Sequence, residues 1–207
     1  MNVSGRGTLR QYWVALRALI ILTIVTGIAY PLLMTGIGQL VFPAQANGSP
    51  LSYHGATIGS SLLGQSFTDK KGNPLPQWFQ SRPSEAGNGY DATNSSGSNL
   101  GPNNPALKQT IEQRKAVIEK LDGVTAAHIP PDAVTASGSG LDPDISPAYA
   151  LLQVNAVANA RGISASSVRA LVESHIRQRE LGYLGLPTVN VVELNIALAQ
   201  LDPSGNK

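Results

Sequence analysis

Residues 18–42 contain no Asp, Glu, Lys, Arg or His. A run that long exceeds what an ordinary core helix needs and matches a helix that crosses a membrane. At about 1.5 Å per residue it extends about 38 Å, against a hydrocarbon core of about 30 Å. The span therefore tilts or stops short of one end. Everything after it is expected on one side of a membrane.

Charge selects the side. Arg6, Arg10 and Arg17 precede the span, and the first acidic residue is Asp69. No Lys or Arg follows until Lys70. Excess positive charge at one flank holds that flank in the cytoplasm. The expected topology is single-pass, with the N-terminus inside and the main body outside. Tyr12 and Trp13 stand where an aromatic belt lies, and Arg17 can reach back to the headgroups. Two other readings compete. Ala44-Gln45-Ala46 has the small-x-small form of a signal-peptidase site, although a cleaved signal has an apolar core of only about 7–15 residues. A buried helix of a soluble protein is the third. An uncleaved anchor best accounts for the length.

Within the span, Pro31 removes a helix hydrogen bond and predicts a kink. Thr23 and Gly27 form a small-xxx-small pair, a candidate face for helix packing, with chance plus lipid exposure as the bland alternative. Gly36 and Gly38 mark where the helix is expected to fray.

The charge balance is +2, from 15 basic and 13 acidic residues. With three arginines assigned to the anchor flank, the outer body carries a slight negative excess, and no basic face remains for nucleic acid. Aromatic residues, at 5%, leave little for base stacking. The absence of cysteine excludes disulfides, thiol catalysis and Cys-ligated metals.

The chain is expected to divide into a basic cytoplasmic N-terminus (1–17), a transmembrane anchor (18–42), a connector (43–52) and an extracytoplasmic domain (53–207). Short apolar segments broken by Gly55, Gly59 and Gly64 predict strands over 53–67. Trp78 and Phe79 predict another. Residues 84–104 read as a long loop. Asn104-Pro105 opens a helix that Gly123 stops. A strand is expected over 134–137 and a turn segment over 138–145. Ser146-Pro147 opens a second helix, stopped by Gly162. Ser164 caps a third, with Val168, Leu171, Val172, His175 and Ile176 on one stripe. Thr188 and Val189 predict a strand. Asn190 with Glu193 resembles a capping box before a last helix. The fold class is α+β: one N-terminal transmembrane helix, then a compact outer domain of short strands and three to four helices.

No self-contained chemistry emerges. His54, His128 and His175 are scattered, and His175 reads as a hydrogen-bonded core residue. The Gly-x-Ser-x-Gly elbow is absent near Ser137. Gly138 and Gly140 lack the third glycine of a dinucleotide loop, since position 143 is Pro143. Asp142 and Asp144 could contact a cation but read better as turn-capping carboxylates. The sequons at Asn2, Asn47 and Asn94 matter only where the source glycosylates. No catalytic or metal-ligating set is assigned. An anchored domain of this kind reads as an accessory subunit, with an independent membrane-tethered enzyme or binding module as the alternative.

Several segments carry a resemblance. PLLMTGIGQLVFPAQANGS, GSSLLGQSF, WFQSRPS, GSNLGPNNP, VTASGSGLDPDISP, ANARGIS and VNVVELNIALAQLD run in order from position 31 to position 202. Together they resemble KdpC, the C-subunit family of the Kdp-type potassium-transporting P-type ATPases of bacteria and archaea. The resemblance implies a non-catalytic subunit of the cell (inner) membrane, needed for assembly and activity. Its implied partners are a channel-like potassium-selecting subunit, an ATP-hydrolysing P-type subunit and a very small membrane peptide. It implies a catalytic-chaperone role that raises the pump subunit's affinity for ATP. No tightly bound cofactor is implied: ATP and potassium are handled by the complex. The resemblance also places a nucleotide contact on Gln153, whose alternative role is a polar group at the edge of a packed helix. An outside location for Gln153 argues against ATP and favours a domain that covers the outer potassium entrance.

Overall fold

Pro31 cannot donate a backbone hydrogen bond, and the helix that contains it adjusts just upstream. In the computed structural model, which describes residues 5–206, α1 (Gly5–Ile24) passes through a π-helical turn (Val25–Ala29) into α2 (Tyr30–Val41). The Asn2 sequon and the Arg6 side chain lie outside what is described. Tyr30 N–H closes on Val25 O, five residues back. The stretch Gly7–Val41 runs 35 residues at mean hydropathy 2.1, with none of its apolar window buried. The helix thus begins well before Ala18, because the polar residues ahead of the span are also tolerated in a helix. It does not fray at Gly36 and Gly38 either. Phe42 N–H closes on Gly38 O at 2.8 Å, and open backbone groups in an apolar medium cost more than glycine entropy. The helix ends at Phe42, before Pro43 opens the single turn α3 (Pro43–Ala46). Asn47 Nδ2 then donates to Pro43 O at 2.6 Å and to Gln39 Oε1 at 3.0 Å.

Contacts divide the chain into two units, with the boundary between Ser49 and Pro50. The second begins with a hairpin, β1 (Pro50–Tyr53) and β2 (Ala56–Ser60), starting earlier than the glycine pattern suggested. His54 and Gly55 connect them with φ of +50° and +79°, the positive values a tight two-residue hairpin turn requires. Asn104 caps α4 (Pro105–Asp122) by accepting from Ala106 N, and Gly123 ends it at φ +66°. Where a strand was expected over 134–137, Pro131 instead starts the single turn α5 (Pro131–Val134), and Thr135 N–H closes on Pro131 O. A proline with φ already fixed at the first helical position favours that turn.

β3 (Asp144–Ile145), α6 (Pro147–Arg161), α7 (Ala165–Ser174), β4 (Ile176–Arg177), β5 (Thr188–Asn190) and α8 (Val191–Leu201) complete the unit. The three strands form an antiparallel sheet in the order β3-β5-β4. Ile176 pairs with Val189, which takes it out of the helix before it. His175 is therefore the C-cap of α7, not part of its stripe, and its Nδ1 donates to Leu171 O at 2.8 Å. The capping box at Asn190 is half made. Asn190 Oδ1 accepts from Glu193 N, whereas the Glu193 carboxylate pairs with Arg177 at 2.6 Å. The class is α+β, with the core carried by helices. Val154, Val168, Val172, Leu194 and Leu198 are fully buried with Phe79 and Val189, each contributing about 1.5–3 kcal/mol.

Candidate functional site

The segment around Trp78 and Phe79 leaves a turn, in which Trp78 N–H closes on Leu75 O at 3.1 Å, and belongs to no sheet. The backbone groups of Phe79 and Gln80 are satisfied by side chains. Gln153, on α6, accepts from Gln80 N at 2.6 Å and donates to Gln80 O at 3.2 Å. Asn195, on α8, repeats the pattern one residue earlier, accepting from Phe79 N at 3.0 Å and donating to Phe79 O at 2.9 Å. Each amide presents one acceptor and one donor, as the edge of a strand does, so two helices supply what a neighbouring strand would. Arg161 extends the clasp. Its Nε donates to Gln77 O at 2.7 Å, and its guanidinium lies 4.3 Å from the centre of the Trp78 ring. Asp202 faces it at 3.6 Å.

Gln153 is 1% exposed. Both ends of its amide are engaged, the nitrogen also donating to Tyr149 O at 3.4 Å. A nucleotide would have to displace segment 79–80 to reach it. Beside the clasp lies an open cavity of about 440 Å³, walled by Arg82, Tyr90, Arg114, Val117 and Tyr149 among others. Its two arginines already face carboxylates: Arg82 meets Asp142 at 3.0 Å and Arg114 meets Glu85 at 2.7 Å. Those pairs leave little unbalanced positive charge for a polyphosphate. Burial pushes the Tyr90 hydroxyl up to about 12; it stays protonated and donates to Arg82 O at 2.8 Å. Asp142 caps a turn, its Oδ1 accepting from Asp144 N at 3.0 Å. Burial raises the Asp144 carboxyl.

The anchor residues occupy the other unit. Arg10, Trp13, Arg17, Thr23, Gly27 and Pro31 all lie on α1, the π turn or α2. The helix brings Arg17 over the Trp13 ring, 5.4 Å from its centre. A Cβ at Gly27 would meet only Thr23 Cγ2, at 3.9 Å. Sequence reasoning missed Asn195 and Arg161. Asn195 follows Val191 by one helical turn on the apolar face of α8, and a lone amide there signals a buried partner.

The model of the family described as "KdpC: K+-transporting ATPase, c chain" matches residues 12–200. The chain belongs to the KdpC family. A potassium-transporting ATPase KdpC subunit of Kineococcus radiotolerans is 47% identical over 203 residues, covering 98% of this chain and 100% of the relative. One from Mycobacterium tuberculosis is 49% identical over 193 residues, covering 93% and 99%. One from Gemmatimonas aurantiaca is 52% identical over 181 residues, 87% of each.

Within the domain, segments that carry the KdpC resemblance are distant in sequence and hydrogen-bond to the stretch 139–141. Gly64 N donates to Leu141 O at 2.9 Å, Ser96 N to Ser139 O at 3.0 Å, and Ser84 Oγ to Gly140 O at 2.6 Å. Gly140, at φ +68°, is where the 84–86 stretch and Ser96 cross it. A Cβ there would lie 2.5 Å from Ser96 O and 2.7 Å from Ala86 N, too close for any other residue.

Proposed function

We propose that the chain is the C subunit of an ATP-driven potassium-uptake complex and acts as a non-catalytic accessory subunit. The observation that carries this is the family match over residues 12–200, which takes in anchor and domain together. Its partners are a potassium-selecting channel-like subunit, an ATP-hydrolysing P-type subunit and a very small membrane peptide. ATP and potassium belong to the complex, and no tightly bound cofactor is assigned to this chain. It sits in the cell membrane with its N-terminus in the cytoplasm and its domain outside, as the flanking Arg10 and Arg17 favour. There the domain covers the outer potassium entrance. It raises the pump subunit's affinity for ATP by stabilising the assembly rather than by touching nucleotide. Gln153 takes part as a clasp for segment 79–80, a reading that its engaged amide supports.

The test is co-purification in mild detergent. The chain should bring down two larger membrane proteins, with potassium-stimulated ATP hydrolysis only when all are present. Activity of the chain alone would instead favour an independent tethered enzyme or binding module. Protease added to intact cells should digest the domain, and digestion only after lysis would reverse the orientation.

A further inference from the structure

The π turn leaves the anchor short of hydrogen-bond donors in the middle of its apolar run. In an α-helix the carbonyl of Thr26 would receive the N–H of Tyr30, and that of Gly27 the N–H of residue 31. Here Tyr30 N–H goes to Val25 O instead, and Pro31 has no N–H. Neither carbonyl keeps its α-helical donor. The nearest hydroxyl does not help, because Thr26 Oγ1 donates backwards to Leu22 O at 2.7 Å. In hydrocarbon, freed backbone groups are satisfied by local side chains, by water or by a neighbouring helix. Gly27 has no side chain over the spot, and the space beside it is open but for Thr23 Cγ2.

We infer that this surface is an intramembrane docking site for a partner subunit's transmembrane helix that carries a side-chain O–H or N–H donor. The donor meets the carbonyls of Thr26 and Gly27, and the small pair Thr23 and Gly27 lets the two backbones approach closely enough for it to do so. This deepens the accessory-subunit reading and rests on it. It gives the anchor a role beyond tethering: a polar contact inside the membrane that fixes which helix it pairs with.

The experiment is purification of the whole complex through a tag on this chain, in mild detergent, with three variants. Gly27→Leu fills the approach, Gly36→Leu adds the same bulk nine residues on, well around the helix, and Pro31→Ala restores the missing N–H. All three leave the span at least as apolar, so insertion is retained. Gly27→Leu is expected to lower recovery of the partner subunits by about tenfold, and Pro31→Ala by about threefold. Gly36→Leu should recover them as wild type does. Wild-type recovery with Gly27→Leu, equal loss with Gly36→Leu, or undiminished recovery with Pro31→Ala overturns the docking site. Failure of the wild-type chain to bring down any partner is a different result, and overturns the accessory-subunit reading as well.

Discussion

The anchor and segment 77–82 meet the same demand in opposite ways. Away from the π turn, the anchor's backbone groups close on one another within the helix, and its side chains face outward. Leu32, Leu33 and Leu40 are 67%, 61% and 86% exposed. In segment 77–82 the backbone groups have no strand or helix of their own. Amides from two other helices reach in to satisfy them, with Phe79 fully buried between. A helix needs only its own residues to pair its backbone. A segment outside any helix or sheet needs the rest of the fold to be in place first. The anchor can therefore tolerate side-chain changes that the clasp cannot.

The largest expected effect is at the clasp. Gln153→Leu keeps the bulk but strands the N–H and C=O of Gln80 in the core. Stability in a denaturant titration of the full chain in detergent should fall by about 3–5 kcal/mol. A loss below about 1 kcal/mol, together with weaker apparent ATP affinity of the complex, would mean that Gln153 contacts nucleotide and that the clasp is incidental.

An intermediate effect comes from a buried polar group the fold does not satisfy. Asp122 Oδ2 is buried without a hydrogen-bond partner among the described residues, and burial pushes this carboxyl up to about 7. Its folded value lies above its unfolded one, so the folded chain holds a proton that the unfolded chain has lost. The resulting penalty is absent below about pH 4, grows as pH rises and is complete above about pH 7. Asp122→Asn should gain on the order of 1–2 kcal/mol at pH 8, after allowance for partial exposure, and nothing at pH 4. Parallel stability curves for the two proteins across that range would remove the argument.

The smallest effect is the anchor's. Leu33→Ala should leave the stability of the domain unchanged within about 0.5 kcal/mol, because Leu33 is 61% exposed and belongs to the anchor unit. A larger loss in the isolated chain would erase the contrast between the two regions.

Local signals were legible wherever one residue type had one job. Asn104, Ser146, Ser164 and Asn190 cap the helices expected of them, and Gly123 and Gly162 end theirs at φ +66° and +68°. Two of the misreadings fall where a distant partner overrules a local preference. Trp78 and Phe79 look like a strand because they are apolar and aromatic, yet Trp78 N–H closes a turn on Leu75 O and the Phe79 backbone pairs with the Asn195 side chain. Ile176 fits a helical stripe but is claimed by Val189.

The order of residues along the chain was enough for the membrane-length helix, the charge asymmetry across it, the caps and stops of the main helices and the α+β class. Each of these rests on interactions within a turn or two, or on composition over a window. The engaged state of Gln153, the three-stranded sheet and the crossing at Gly140 belong to the folded chain. They depend on which groups, far apart in sequence, are left needing a hydrogen bond once the helices have packed.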